Sequence, residues 1–138
     1  MNNQEAKTLI QAFYDMLNKP QTKDLASLSS LMSPDWRSYS GETVSKSKEE
    51  FLGQVAGFGK LLPDLEWNIK DVITDGKNKI IVRSEAKGTP VGDFFGVPKS
   101  GRSFSIMTID IHTIEGGKLV AAHHVEDWAG GIKQLANK

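Results

Sequence analysis

The stretch Gly101–Trp128, GRSFSIMTIDIHTIEGGKLVAAHHVEDW, decides the fold. Ser103 to Ile114 alternates apolar and polar residues for much of its length. Leu119 to Trp128 follows after Glu115-Gly116-Gly117-Lys118. Alternation marks a half-buried strand, and glycines supply the positive φ of a tight turn. The reading is two long strands closed by a hairpin. Asp110, Glu126, Asp127 and all three histidines of the chain, His112, His123 and His124, lie in it. Titratable groups in an apolar frame are the best candidates for chemistry here.

Upstream of this hairpin, Leu65, Trp67, Ile69, Asp71 and Ile73 alternate with their neighbours as far as the turn Asp75-Gly76-Lys77-Asn78. Lys79 to Thr89 follows as another strand, with Ile80, Val82, Ser84, Ala86 and Gly88 on one face. Arg83, Glu85 and Lys87 form a charge row on the other, for which cross-strand pairing is the ordinary explanation. Pro90 to Gly101 reads as a long loop carrying Phe94 and Phe95, either folded over a cavity or buried against a partner chain.

The first third has helical spacing. Ala6, Leu9, Ile10, Phe13, Met16 and Leu17 make one apolar stripe, and Pro20 predicts a stop near Asn18. A short helix is predicted from Thr22 or Asp24 to Met32, broken by Ser33-Pro34-Asp35. Trp36 to Ser40 reads as a short strand and Gly41 to Ser47 as a loop. Ser47-Lys48-Glu49-Glu50 has the pattern of a capping box. The helix it opens is predicted to be short or frayed, because Gly53, Gly57 and Gly59 weaken it. Helices first and antiparallel strands after them give an α+β fold, with the helices on one face of a curved sheet.

The chain of 138 residues suits one domain, 1–138, with no internal repeat. Its formal net charge of zero lacks the basic footprint of a nucleic-acid binder. No apolar run is long enough to span a bilayer, and the first residues lack the pattern of a secretory signal. Cysteine is absent, which excludes disulfides, thiol nucleophiles and zinc–cysteine sites. The expectation is a soluble cytoplasmic domain without nucleic-acid or membrane partners.

Side chains on a strand alternate faces. Counting from Leu119, His123 and Asp127 share the inward face, and His124 and Glu126 share the outer one, unless a bulge intervenes. On the preceding strand Asp110 and His112 share a face with Phe104, Ile106, Thr108 and Ile114. They form either a polar pair in a cavity or a structural pair anchoring a loop. Trp36, Trp67, Phe13, Tyr14, Phe51 and Phe58 are either cavity wall or plain core. Asp127 is either a carboxyl raised by burial, fit for acid–base work, or a solvated strand-end residue or helix N-cap. The histidine spacing does not suit a metal site.

The chain resembles the SnoaL-like polyketide cyclases, of the NTF2-like superfamily of cone-shaped α+β folds. The resemblance is carried by Gly92-Asp93-Phe94-Phe95-Gly96-Val97-Pro98, Gly101-Arg102, Ile109-Asp110-Ile111-His112 and Glu115-Gly116-Gly117-Lys118-Leu119-Val120. It continues to Asp127 and Gln134-Leu135. The likeness implies a homodimer and an intramolecular aldol closure on a small, largely apolar carbonyl compound, without cofactor or metal. It implies Asp127 as the general acid/base. Asp110, His112, His123, Trp36 and Trp67 are the residues expected around the substrate. The family often has Glu-x-Trp before this aspartate, where this chain has Ala121 and His123, and a first-strand histidine, where it has Ser38 or Tyr39. The other readings, both without catalysis, are a small-molecule-binding module of the same fold and an interaction module whose sheet face and Phe94-Phe95 loop dimerise or dock a partner.

Overall fold

Helix α1 (Asn3–Leu17) turns its predicted stripe inward: Ala6, Ile10, Phe13 and Leu17 are buried and Leu9 and Met16 half-buried, and Tyr14, outside that stripe, is buried with them. The Asn2 side chain caps its start by accepting from the Glu5 amide. Asn18 fixes its end. The Asn18 amide donates to the carbonyl of Tyr14 at 2.9 Å, and its oxygen accepts from the backbone N–H of Trp67 at 2.9 Å. That clamp ties the last turn of α1 to the sheet and so locates Tyr14. The computed structural model describes residues 2–136.

A 3₁₀ turn (Pro20–Thr22) and a short helix α2 (Leu25–Ser29) lead to strand β1 (Met32–Tyr39). The strand starts earlier than the Trp36 expected from sequence. Ser33-Pro34-Asp35 does not separate helix from strand but lies inside β1, where the register with its neighbour skips between Met32 and Arg37. A proline, lacking an N–H, is tolerated where the ladder is interrupted. Strand β2 (Ser45–Ser47) pairs along the outer edge of β1, in what was expected to be loop.

Helix α3 (Lys48–Leu61) opens with the predicted capping box. Ser47 Oγ accepts from the Glu50 amide, and the Glu50 carboxylate accepts from the Ser47 amide. The helix is neither short nor frayed; it runs 14 residues through its three glycines. Gly59 is there for space: a Cβ on it would lie 2.9 Å from the backbone nitrogen of Gln21. The apolar side of α3 packs on the core through Phe51, Val55 and Phe58.

Strands β3 (Glu66–Thr74), β4 (Lys79–Gly88), β5 (Phe104–Glu115) and β6 (Lys118–Glu126) run antiparallel in succession. Strand β1 then pairs with β6 in parallel. The six strands form one curved, unclosed mixed sheet in the order β2-β1-β6-β5-β4-β3, and the helices cover one face. The β5–β6 turn has Gly116 at φ 57° and Gly117 at φ 76°. Two positive φ values in succession are what a two-residue hairpin turn with matching twist requires.

The residues after Gly130-Gly131, expected as a tail, belong to helix α4 (Trp128–Ala136). Its start is made by Asp127, whose Oδ1 accepts from the Gly130 amide at 2.9 Å. Gln134 then clamps it to β5, donating to the carbonyl of Ser105 and accepting from the Ser105 amide. The loop before β5 folds Phe94 inward, between Phe58, Phe104 and Trp128. Phe95 stays 54% exposed at a positive φ of 49°. No helix among the described residues is long and apolar enough to cross a membrane.

Candidate active site

Between the helices and the covered face of the sheet lies a cavity that opens to solvent. Its wall is mostly apolar: Phe13 from α1, Trp36 from β1, Phe51, Val55 and Phe58 from α3, and Leu65 and Trp67 beside them. Asp110 and His112 enter it from β5, His124 and Glu126 from β6, Ser38 from β1 and Gln54 from α3. A largely apolar hollow with a few convergent polar groups is the usual form of a small-molecule site.

The polar groups are linked. Asp110 and His124 face each other directly across the β5–β6 ladder. The hydroxyl of Tyr14, a residue with no exposed surface, donates to Asp110 Oδ2 and lies 2.8 Å from His112 Nε2. His124 Nδ1 is 3.3 Å from Glu126 Oε2, which also accepts from Trp128 Nε1 at 3.3 Å. Asp110 Oδ1 has no hydrogen-bond partner among the described residues.

These surroundings move the titrations apart. Burial pushes the Asp110 carboxyl up to about 6, against the downward pull of the Tyr14 hydrogen bond, with Glu126 adding to the rise and His124 opposing it. Burial also pushes His112 down to about 3, so its ring is neutral at working pH. His124 moves the other way. Its hydrogen bond to Glu126 raises it, with further help from the charges of Glu126 and Asp110. The Tyr14 phenol is held well above its usual value by burial, then by Asp110. A carboxyl raised to about 6 beside a histidine raised above its ordinary value pairs a base with an acid.

A family model for SnoaL-like polyketide cyclases matches residues 7–135. The chain belongs to this family. Among solved structures, a SnoaL-like protein from Jannaschia sp. CCS1 aligns with a TM-score of 0.85 at 19% identity, over 100% of this chain and 95% of its own. TsrD from Streptomyces laurentii gives 0.85 at 25% identity, over 100% and 99%. IdmH from Streptomyces antibioticus gives 0.81 at 24% identity, over 94% and 96%. The shared architecture is the SnoaL/NTF2-like fold. No curated relative matches the sequence.

In this SnoaL-like chain the expected site residues divide into two groups. Asp110, His112, Trp36 and Trp67 line the cavity, with Phe13, Phe51 and Phe58. Tyr14 stands behind them, holding Asp110 and His112. His123 and Asp127 do not enter it: both are exposed. His123 stacks on Tyr39 with ring centroids 4.7 Å apart, and Asp127 caps α4. The expectation that they face inward is corrected by a bulge. Thr113 pairs with Ala121 but Ile114 pairs with Leu119, so Val120 is an extra residue in β6. One extra residue reverses the facing of everything beyond it. Leu119 therefore points in, and so do Ala122, His124 and Glu126, the set expected outside. Nothing in Leu119-Val120-Ala121-Ala122 marks the bulge, since small apolar residues suit either face. The Tyr14 contact was equally hidden, because it joins residues 96 positions apart.

Proposed function

We propose that this chain is a cofactor-independent enzyme of the cyclase or isomerase type, with Asp110 rather than Asp127 as its general acid/base. The reading is supported by membership of the SnoaL-like polyketide cyclase family. The observation that carries it is a carboxyl in an apolar cavity, with one oxygen held by Tyr14 and the other unpartnered, opposite His124. The substrate class is a small, largely apolar compound with a carbonyl group, matched to a wall of phenylalanine and tryptophan.

The chemistry needs no other participant. Asp110 Oδ1 takes a proton from the carbon next to a carbonyl, and the electron pair of that C–H bond becomes an enolate. His124, protonated and braced by Glu126, donates toward the developing negative oxygen. The enolate carbon attacks a second carbonyl of the same molecule, forming the C–C bond and an alkoxide. Asp110 returns its proton to that oxygen, and the enzyme is restored. Acid–base assistance of this kind contributes roughly a hundred- to ten-thousand-fold in rate.

Hydrogen–deuterium exchange at the α-carbon of 1-tetralone in D₂O tests the first step without knowledge of the physiological substrate. The protein should accelerate the exchange. Asp110→Asn should remove about a hundredfold or more of that acceleration, and Asp127→Asn should keep it. The rate should fall below pH about 6 as Asp110 protonates, and fall again above the raised titration of His124 as that acid is lost. Exchange as fast in Asp110→Asn as in the unaltered protein would refute the assignment. Tetralone bound but never exchanged would mark a binding module of the same fold.

A further inference from the structure

We propose that His112 and Tyr14 are positioning residues forming a one-way hydrogen-bond chain, from His112 Nε2–H to the Tyr14 hydroxyl to Asp110 Oδ2, which leaves Asp110 Oδ1 as the only oxygen free to take a proton from substrate. The direction of the chain follows from what each group can do. An ionised carboxylate only accepts. The single phenol proton of Tyr14 is therefore committed to Asp110. The second partner of that hydroxyl, His112 Nε2 at 2.8 Å, must then be the donor. Neutral imidazole carries one N–H, so Nδ1 is bare. It is buried without a partner, as a ring whose proton sits on the other nitrogen would leave it.

All three groups are buried, which gives the chain its rigidity. Asn18 anchors the C-terminal turn of α1 to β3 and so holds Tyr14 over β5. Phe13 packs edge-on against the His112 ring at 5.3 Å and limits its rotation. The other titratable groups facing Asp110 are His124 and Glu126, both from β6. Across the ladder on β4 its partner is Val82, which carries no charge. Among the described residues, Tyr14 is thus the one neutral donor that holds the carboxyl down against its burial. Without it the base would be protonated over more of the neutral range.

The catalytic meaning of this chain rests on Asp110 being the base; the chain itself does not, and it can be tested without substrate. Carbon-13 labelling of aspartate carboxyls allows Asp110 to be titrated by NMR, and nitrogen-15 labelling of histidine reports which ring nitrogen holds the proton. The expected result is a proton on His112 Nε2 at neutral pH. Tyr14→Phe should raise the Asp110 titration by about one pH unit or more, the range for a hydrogen bond to a charged group. His112→Leu should raise it by a smaller step, because the hydroxyl loses its brace. His112→Gln, which keeps an amide donor, should return it toward the original value. A proton on Nδ1, or an unmoved Asp110 in Tyr14→Phe, overturns the proposal. Should Tyr14→Phe fail to fold, the two His112 variants decide, and equal titrations in both overturn it. If the Asp110 titration moves as expected while Asp110→Asn still catalyses tetralone exchange, the chain stands and the base assignment falls.

Discussion

Asp110 and Asp127 carry the same carboxyl group in opposite surroundings. Asp110 sits among Tyr14, His124 and the aromatic wall; Asp127 sits at the surface and accepts from the first turn of α4. A Cβ at position 130 would lie 2.3 Å from Asp127 Oδ2, so glycine there lets the cap close. Asp127 accepts from the Gly130 amide at the start of α4, so its removal is expected to register as lost stability. Asp127→Ala should lower stability by about 1 kcal/mol, the usual cost of losing an N-cap, while Asp127→Asn keeps an acceptor and should cost much less. Thermal or urea unfolding of the two variants measures this. Equal stability of Asp127→Ala and the unaltered protein would show that the cap contributes nothing. The residue types of the site were legible in the sequence: Asp110 and His112 were placed on one face from alternation alone. The partner that tunes Asp110 was not legible, because Tyr14 lies on the first helix, 96 positions from Asp110, and meets β5 only after folding.

Whole strands were legible for the same reason that their facing was not. The β5–β6 hairpin, the β3–β4 hairpin and the capping box of α3 are written in local signals: alternation, turn glycines, and a serine three residues before a glutamate. Facing is set by a running count, and one extra residue resets it. Lys70 in β3 does what Val120 does in β6: Ile69 pairs with Ser84 and Asp71 with Arg83, which turns Val72 inward and leaves Ile73 58% exposed. Ile73 then joins Ile81, Met107, Ile109, Ile111 and Val125 on the uncovered face, a run of large apolar side chains in water. The ladder makes them neighbours: Ile73 opposite Ile81, Ile81 opposite Ile111, and Ile109 opposite Val125. Contiguous apolar surface of this kind is best removed from water by a matching surface, and a second copy supplies one by two-fold symmetry. We therefore propose a homodimer through this face. Sedimentation should give a dimer at tens of micromolar, roughly, and Ile111→Lys should give a folded monomer, since the lysine would be buried against apolar side chains without a partner. An unaltered protein that sediments as a monomer throughout that range removes the proposal.

At the scale of the whole molecule, the buried groups Asp110 and His112 pull stability in opposite directions as pH falls below neutrality. His112 is lowered from 6.5 to about 3, so between those values the unfolded chain binds a proton that the folded protein refuses. Its contribution is present above 6.5 and is lost as pH falls toward 3. Asp110 is raised from 3.8 to about 6, so between those values the folded protein binds the proton that the unfolded chain refuses. Its ionised form costs stability above 6, and that cost is relieved as pH falls toward 3.8. Each single-proton imbalance is worth about 1.4 kcal/mol per pH unit. Across the window from about 6 to 3.8 the two slopes therefore cancel, and these groups leave stability nearly flat there. His124, being raised, contributes stability below 6.5 that fades as pH rises through its folded titration, and so adds no slope within the window. Asp110→Asn removes one arm of the balance. The variant should be more stable than the unaltered protein at pH 7, where the buried carboxylate no longer has to be kept ionised. It should then lose stability steadily on acidification below 6.5, at about 1.4 kcal/mol per pH unit relative to the unaltered protein between 6 and 4. Urea unfolding at half-unit pH steps measures both curves. Parallel curves across that window would mean that Asp110 titrates alike in the folded and unfolded chain, and its place as a base tuned by burial would go with it.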